Sequence, residues 1–366
     1  MTNLRERIEE IEREIRETPY NKATEHHIGR LKAKLARLKE ELRARKRGPG
    51  RRPGFAIRKS GDASVALVGL PNVGKSTLLN VLTGARSQVA DYDFTTLKVI
   101  PGMMQHKGAK IQVLDMPGLI QGASIGRGRG REILSAVRAV DLIMLLVDST
   151  RPEQLEVMRT ELEAAGVRLD QVPPDVILEK RERGGLHVKP TVELTHLNLG
   201  TIRPVLEEYG VVNAEITIKE DITLGRLIDF LSRSRAYLPS LVVLNKVDLL
   251  EGSPKEVLRG MERWGPIVIS ARKGTGLDAL REVIYRKLSL IRVYLKPRGG
   301  KVDYREPMVM RVGSTVEDLC RKLHGDFLKR FKYGLLWGKG AKFPGQRVGL
   351  DHELRDGDVI SISLGR

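Results

Sequence analysis

Cysteine is almost absent from this sequence of 366 residues, and long apolar runs are absent as well. The single Cys320 excludes an internal disulfide and a zinc site built from several cysteines, and we expect it to be a small buried residue in a helix. The longest apolar stretch near the middle, residues 142–147, is far too short to cross a bilayer. The N-terminus is charged from Arg5 onward and lacks the apolar segment of a secretory signal. We therefore expect a cytoplasmic protein with no membrane partner.

Positive charge, in contrast, is in excess. Lysine and arginine together number 64 against 46 aspartate and glutamate residues, which gives a formal net charge of +18 at pH 7. A field of this size attracts polyanions and makes their binding sensitive to salt. Two interpretations stay open at this point: a generally basic, solvated surface, or a surface that binds nucleic acid, above all ribosomal RNA.

Apolar residues near the N-terminus recur at spacings of three and four, the period of an amphipathic helix. They form two sets on either side of Pro19, namely Leu4, Ile8, Ile11 and Ile15, then Ile28, Leu31, Leu35, Leu38 and Leu42. The pattern predicts a helical hairpin. Residues 43–53 then combine lysine and arginine with glycine and proline, a composition that cannot pack a core. This segment is predicted to be a flexible linker or an RNA-contacting arm.

Short apolar runs further along the chain each end just before a polar loop. They are residues 65–68, 111–114, 142–147, 241–244 and 267–269. Because helical patterns separate them, they predict an α/β domain with a mostly parallel sheet and helices on both faces. Ligands of such sheets bind at the carboxyl ends of the strands, where these polar loops lie.

The loop after the first run matches the P-loop pattern GxxxxGK[ST] and opens a helical pattern, as that motif requires. It consists of Gly69, Leu70, Pro71, Asn72, Val73, Gly74, Lys75 and Ser76, followed by Thr77. Backbone N–H groups of such a loop wrap phosphates, aided by the helix N-terminus. Lys75 is expected to reach the β- and γ-phosphates, and the Ser76 hydroxyl to ligate Mg²⁺.

A second loop follows the strand 111–114, and its members are Asp115, Met116, Pro117 and Gly118. Asp115 stands 39 positions after Ser76 and is expected to hold the Mg²⁺ shell through water. The Gly118 N–H is expected to meet the γ-phosphate. Between the first two loops, residues 91–97 (DYDFTTL) occupy the place of a first switch. We predict that Thr96, rather than Thr95, binds Mg²⁺ and the γ-phosphate in the GTP state only, although an edge strand with merely paired threonines is the alternative.

Two more loops predict that the base is guanine. Asn245, Lys246, Val247 and Asp248 follow the fourth run, and Ser270, Ala271 and Arg272 follow the fifth. A carboxylate at Asp248 accepts hydrogen bonds from the guanine N1–H and exocyclic amine, which adenine does not offer. Asn245 is expected to face the base and brace the P-loop, Lys246 to cover the base plane, and a backbone N–H of the last loop to bond guanine O6. Four loops in this order predict a GTP-binding site.

Asp115 and Asn245 are 130 positions apart, well beyond the spacing in the small GTPases that these motifs resemble. We therefore expect an inserted α+β unit, residues 166–237, between the fourth and fifth strands of the sheet. It alternates strand-like runs (176–179 and 214–218) with helix-like ones (202–209 and 224–235). Residues 293–366, with a helix starting near Thr315, are predicted to form a separate small α+β domain.

Several strings resemble the Obg-related GTPases: residues 91–97, residues 122–131 (GASIGRGRGR) and the P-loop residues 71–73. Within that group, residues 18–34 (TPYNKATEHHIGRLKAK), 331–338 and 348–352 resemble the developmentally regulated GTP-binding (DRG) family. The similarity spans essentially the whole chain. It implies an N-terminal helical region (1–55), a GTPase domain (56–292) interrupted by a unit like the second domain of ribosomal protein S5 (166–237), and a C-terminal TGS domain (293–366).

The resemblance also bears on catalysis. Many GTPases place a water-orienting glutamine after the glycine of the second loop, whereas this sequence has Leu119. The leucine has no hydrogen-bonding group, so we predict slow intrinsic hydrolysis. The remaining catalytic groups are then Lys75, Thr96 and Gly118. Related GTPases hold a potassium ion with a P-loop asparagine, so Asn72 is either a potassium ligand or a loop-capping side chain. The glycine-spaced arginines either contact phosphate, RNA or a partner, or form a mobile solvated loop: Arg127, Arg129 and Arg131.

Together these patterns predict a GTP/GDP switch that hydrolyses GTP and binds the ribosome or RNA in translation or ribosome assembly. The C-terminal region supports this with basic residues around two aromatic ones: Lys329, Arg330, Lys332, Lys339 and Lys342 around Tyr333 and Trp337. Trp337 could equally belong to the core. The alternative is a GTP-dependent adaptor that binds a protein partner through the N-terminal hairpin, with hydrolysis incidental.

Overall fold

The computed structural model describes residues 4–21, 24–45, 60–84, 100–116, 136–232, 235–250, 252–297 and 299–365. Several predicted features lie outside these residues: most of the basic linker, the first switch with Thr96, the second-loop residues Pro117, Gly118 and Leu119, and the three glycine-spaced arginines. The described residues form two compact units. One contains the N-terminal helices and residues from 162 to 237, and the other contains the residues from 60 to 161 and from 238 to 365.

The helices follow the predicted periodicity at the N-terminus, where two of them flank Pro19. In chain order they are α1 Leu4–Glu17, α2 Glu25–Arg45, α3 Lys75–Thr83, α4 Gln154–Ala165, α5 Leu199–Glu208, α6 Leu224–Leu231, α7 Pro254–Arg259, α8 Leu277–Lys287, α9 Val316–Leu323 and α10 Gly325–Lys329. The helix predicted over 224–235 is shorter than expected. It ends at Leu231, because Ser232 adopts an extended conformation (φ −79°, ψ 102°) that cannot continue the helix.

The strands belong to four sheets, two large and two small. They are β1 Ala63–Val68, β2 Ile100–His106, β3 Ala109–Asp115, β4 Leu142–Asp148, β5 Val167–Leu169, β6 Val176–Lys180, β7 Leu186–Pro190, β8 Ala214–Ile218, β9 Ala236–Leu238, β10 Ser240–Asn245, β11 Ile267–Val268, β12 Leu290–Leu295, β13 Met308–Arg311, β14 Phe331–Trp337, β15 Gln346–Val348 and β16 Asp358–Leu364. The strand order β11-β10-β4-β1-β3-β2 makes a six-stranded sheet that is parallel except for β2. This sheet confirms the predicted fold class.

Burial on both faces explains why the central strands of the six-stranded sheet read as continuous apolar runs. All six residues of β1 and of β10 are buried, as are the first six of β4. Because β1, β3, β4 and β10 run parallel, their carboxyl ends lie at the same edge of the sheet. Between β4 and β10 the chain leaves this sheet and forms β5 to β9 with α5 and α6 before it returns.

In the first unit, α2 packs on two different partners. One side meets α1 through a cluster in which Ile8 and Ile11 face Leu31 and Leu38. The other side joins the core of the segment that carries β6, β7 and β8, where Ala33 lies among its buried residues. Polar contacts fix this second interface, since Arg37 Nη1 donates to the Glu208 carbonyl at 2.6 Å.

The C-terminal strands form a second large sheet in the order β13-β12-β16-β14-β15. Its inner face packs on α9, where Cys320 is fully buried as predicted. Thr315 and Asp318 form a capping box at the start of that helix. The core of the six-stranded sheet also includes Val309 of β13, so the two large sheets lie in one compact unit. Within the described residues, the helices are all too short or too polar to cross a membrane.

Candidate nucleotide-binding site

The P-loop joins the end of β1 to the start of α3, and its backbone geometry depends on particular residue types. Gly74 has φ 95°, and a β-carbon placed there would lie 2.5 Å from Nδ2 of Asn245. Any other residue would therefore be strained and would displace the neighbouring loop. Asn72 is exposed and has φ 63°, a left-handed conformation that asparagine tolerates better than most residues. That conformation favours an asparagine at this position whether or not its side chain also holds an ion.

Lys75 points its ammonium back over the loop. Nζ donates to the carbonyl oxygens of Gly69 and Leu70, each at 3.0 Å. Burial lowers the pKa of Lys75 because it disfavours the charged form, and the nearby Asp115 carboxylate opposes that shift. The ammonium is thus held at the loop by weak acceptors that a phosphate oxygen can replace.

Asp115, at the end of β3, is the carboxylate best placed to help hold a cation. Its Oδ2 accepts a hydrogen bond from Ser76 Oγ at 2.9 Å, and the residue is only 1% exposed. Its Oδ1 is buried and has no hydrogen-bond partner among the described residues. Burial raises the pKa of this carboxyl, against the Ser76 hydrogen bond and the Lys75 charge. A buried carboxylate oxygen without a donor, next to a hydroxyl, fits the oxygen ligands of Mg²⁺.

The described residues contain no group of three or more His, Cys, Asp or Glu side chains that could hold a metal alone. Magnesium commonly keeps water and substrate phosphate in its shell and takes only one or two protein ligands. Ser76 and Asp115 therefore suffice on the protein side if phosphate and water complete the shell.

Asn245 links three loops at the carboxyl edge of the sheet. Its Nδ2 donates to the carbonyl of Val73 in the P-loop at 2.9 Å, and its Oδ1 accepts from the backbone N–H of Ala271 at 2.9 Å. The residue is 2% exposed, so both bonds are shielded from water. The P-loop, the third loop and the fourth loop are thus brought together by one amide.

Asp248 is held ready as an acceptor. Its Oδ1 accepts from Ser270 Oγ at 2.6 Å, and this hydrogen bond is the largest influence in lowering the pKa of Asp248. Ser270 Oγ in turn accepts from the backbone N–H of Lys273 at 3.1 Å. The carboxylate is therefore charged at neutral pH and oriented by the fourth loop, as recognition of a base edge requires.

Lys246 has two partners that the sequence patterns did not identify. Its Nζ donates to Oδ2 of Asp148 at 2.8 Å, and Oδ1 of Asp148 accepts from both the N–H and the Oγ1 of Thr150. Burial opposes the charged form of Asp148, but the hydrogen bonds from Lys246 and Thr150 outweigh it and lower its pKa. One signal could have found Asp148: it ends β4, whose neighbour β10 leads directly into the third loop.

The other predicted residues contribute less that can be seen in the described structure. Leu70 is half-buried, while Pro71, Thr77 and Arg272 are exposed. The Met116 side chain is buried, and its N–H donates to the Leu67 carbonyl at 3.3 Å. Thr96, Pro117 and Gly118 lie outside the described residues. The described site therefore consists of the P-loop, the pair Ser76 and Asp115, and the third and fourth loops with Asp248, all at one edge of the sheet.

Models of known protein families match most of this chain. Residues 64–180 match the family model described as "50S ribosome-binding GTPase", residues 183–290 match the model of the C-terminal region of that domain, and residues 291–363 match the TGS domain. A solved structure, a GTP-binding protein from Pyrococcus horikoshii OT3, is 18% identical and aligns over 82% of this chain and 99% of that one with a TM-score of 0.44.

Two curated relatives match over nearly their entire length. An uncharacterised GTP-binding protein of Methanocaldococcus jannaschii is 54% identical, over 99% of this chain and 93% of the relative. Developmentally regulated G-protein 3 of Arabidopsis thaliana is 44% identical, over 99% of each chain. The chain, with its GTPase domain and C-terminal TGS domain, belongs to the developmentally regulated GTP-binding protein family.

Proposed function

We propose that the protein hydrolyses GTP to GDP and phosphate with Mg²⁺ and that the residues assembled above form its site. Lys75 would bind the β- and γ-phosphates, and Ser76 and Asp115, which lie within hydrogen-bond distance of each other, would hold the metal, Asp115 through water. The ion, when bound, neutralises charge on the phosphate oxygens. The observation that carries this proposal is the Asn245 side chain, which bonds the P-loop and the fourth loop at once.

Guanine selectivity follows from Asp248. Its carboxylate accepts from the guanine N1–H and exocyclic amine, and Ser270 keeps it charged and oriented. A backbone N–H of the fourth loop, which contains Ser270, Ala271 and Arg272, serves guanine O6. An adenine nucleotide would leave the Asp248 carboxylate without these donors, which is costly in a desolvated site.

Hydrolysis is proposed to be slow without assistance. Thr96 and the Gly118 N–H hold the γ-phosphate, and Leu119 provides no group that could orient the attacking water. Asn72 is proposed to hold a potassium ion that supplies positive charge near the phosphates. The test is the GTPase rate in potassium chloride against sodium chloride at equal ionic strength. Equal rates would reject the potassium site and leave the rest of the proposal intact.

The site itself is tested by exchanging the base. Asp248→Asn should lose GDP affinity and gain affinity for xanthosine diphosphate, because the amide can donate to the carbonyl that xanthine has in place of the guanine amine. Isothermal titration with both nucleotides measures the exchange. Unchanged GDP affinity in this variant would show that the base is recognised elsewhere.

The biological target is proposed to be the ribosome or its RNA. Part of the support is the net charge of +18, and part is the outer face of the C-terminal sheet. There the ring of Tyr333 lies 4.2 Å from the Arg347 guanidinium carbon, and the ring of Trp337 lies 4.5 Å from Lys296 Nζ. Aromatic rings beside cations suit stacked bases and phosphates. The name of the matching family, 50S ribosome-binding GTPase, points the same way.

Co-sedimentation with ribosomes at physiological salt tests this target. We expect binding that differs between GDP and a non-hydrolysable GTP analogue, and GTP turnover that ribosomes accelerate. Tyr333→Ala should weaken the binding, whereas Tyr20→Ala, which removes a 72% exposed tyrosine from the first unit, should not. Absence of both binding and acceleration would favour the adaptor. The packing of α2 between α1 and the segment carrying α5 already occupies the apolar faces that such an adaptor would use.

A further inference from the structure

Lys246 is held in an uncommon backbone conformation. Its φ of 66° is left-handed, which costs a residue other than glycine about 1–2 kcal/mol. Strain of this kind persists where the surroundings fix it, and it concentrates at ligand sites. Lys246 directly follows Asn245, which lies in register with Asp148 across β10 and β4. The backbone of Lys246 therefore lies close to Asp148, the carboxylate that its ammonium contacts.

Asp148 is fixed independently of Lys246. One carboxylate oxygen accepts from the Thr150 N–H at 3.0 Å and from Thr150 Oγ1 at 2.8 Å, while the other accepts from Lys246 Nζ at 2.8 Å. A further backbone bond, from the Ser149 N–H to the Asn245 carbonyl at 2.9 Å, ties this loop to the end of β10. The side chains of Lys246 and Asp148 are 29% and 13% exposed, so water screens the pair only in part.

We propose that Asp148, oriented by Thr150, is a positioning residue of the base site: it anchors the Lys246 ammonium at the end of β4 so that the aliphatic stem stays beside the purine. The inference rests on the proposed base site at Asn245 and Asp248. With the ammonium anchored, the stem loses little conformational entropy when the nucleotide enters. The pair of Lys246 and Asp148 then slows nucleotide dissociation, and this effect does not depend on which groups the edge of the base carries.

The first measurement is the dissociation rate of a fluorescent GDP from the full-length protein. Asp148→Asn keeps the shape of the side chain but removes its charge, and we expect release about tenfold faster, as for the loss of one charge-assisted hydrogen bond. Thr150→Val, at an exposed position, removes one of the two bonds that orient Asp148 and should speed release less. Wild-type release in both variants, or slower release in Asp148→Asn, would overturn the proposal.

The chain offers a matched control in Asp62→Asn. Asp62 also accepts a lysine ammonium at 2.8 Å, from Lys322, and a backbone N–H at 3.0 Å, from Lys110, but it precedes β1 at the opposite edge of the sheet. Its loss should leave GDP release unchanged. If Asp62→Asn speeds release as much as Asp148→Asn does, the effect is a general loss of stability and the proposal fails.

Two double variants distinguish the anchoring of Lys246 by Asp148 from recognition of the base edge by Asp248. In a Lys246→Met background, Asp148→Asn should change release no further, because the anchored group is already gone; full additivity would overturn the proposal. In an Asp248→Asn background, Asp148→Asn should speed release of xanthosine diphosphate by the same factor as it speeds GDP release in the wild type. If Asp248→Asn does not change base preference, both the proposed base site and the proposed role of Asp148 are wrong. If Asp248→Asn does change base preference but Asp148→Asn has no effect on release, only the proposed role of Asp148 is wrong.

Discussion

Gly74 lies where the P-loop meets the base-recognition corner, and its missing side chain matters for two reasons. The residue has φ 95°, and a β-carbon would lie 2.5 Å from Asn245 Nδ2. Gly74→Ala should therefore add about 1–2 kcal/mol of backbone strain and also displace the amide that links three loops. We expect GDP affinity, measured by isothermal titration, to fall by about tenfold or more.

Gly210→Ala provides the comparison for that variant. Gly210 has φ 71°, and no described atom lies within 4 Å of an added β-carbon. This change should cost stability through strain alone and leave GDP affinity as it is. Equal GDP affinity in the two variants would mean that the approach of Asn245 to the P-loop is not needed for binding.

Asp115 illustrates a residue whose charge opposes folding in the absence of ligand. Burial raises its pKa above the ordinary value, so its contribution to stability falls as the pH rises through the folded-state pKa. Asp115→Asn removes the charge and should raise the melting temperature of the nucleotide-free protein at pH 7. The same variant should lose the Mg²⁺ dependence of GTP affinity. A lower melting temperature, or an unchanged response to Mg²⁺, would contradict this assignment.

At the scale of elements, one carboxylate of α8 pairs with the hairpin of β2 and β3, beside contacts of the Tyr285 ring with His106 and Lys107. Glu282 accepts from Lys107 Nζ at 2.8 Å and lies 3.0 Å from His106 Nε2, and these hydrogen bonds, the one from Lys107 foremost, lower its pKa from 4.5 to about 2. Because the folded-state pKa is depressed, the stabilisation is present above pH 4.5 and is lost as the pH falls from there to about 2.

Glu282→Gln should therefore lower stability at pH 7, and the difference from the wild type should shrink over that acidic range. Urea denaturation at a series of pH values measures it, and added salt should reduce it because the carboxylate is exposed to solvent. Glu317→Gln, in an exposed pair with Arg321 within one helix, serves as the control. A difference between wild type and Glu282→Gln that persists unchanged at pH 2 would show that packing rather than charge is responsible.

Local patterns predicted the elements well, because each depends on residues close together in the sequence. The 3.6-residue period gave α1 and α2, and the apolar runs gave β1, β4 and β10. Contacts between distant residues had no such signal. The docking of α2 depends on pairs such as His26 Nδ1 with Thr201 Oγ1 at 2.9 Å. The bond between Lys246 and Asp148 joins the loop after β10 to the end of β4. Neither residue type nor spacing distinguishes these pairs from the many solvated ones.

At the scale of the whole molecule, the nucleotide site and the proposed RNA-binding face lie in the same compact unit. Ion pairs join the TGS domain to the amino-terminal side of the six-stranded sheet, since Lys322 pairs with Asp62 and Arg311 pairs with Asp141, each at 2.7–2.8 Å. Val309 extends the core across the same boundary. The TGS domain therefore packs directly on the amino-terminal side of the six-stranded sheet.

The charge of the molecule makes a quantitative prediction about ribosome binding. If lysine and arginine contact RNA phosphates, the logarithm of the binding constant should fall linearly with the logarithm of the salt concentration. Arg347→Ala should then reduce the slope by about 0.7, the value for one phosphate contact to a single strand. Tyr333→Phe keeps the ring and should leave both slope and affinity nearly unchanged, whereas Tyr333→Ala should weaken binding at every salt concentration without changing the slope. Co-sedimentation across a potassium chloride series measures all three, and a slope that Arg347→Ala leaves unaltered would place the RNA contact on another face.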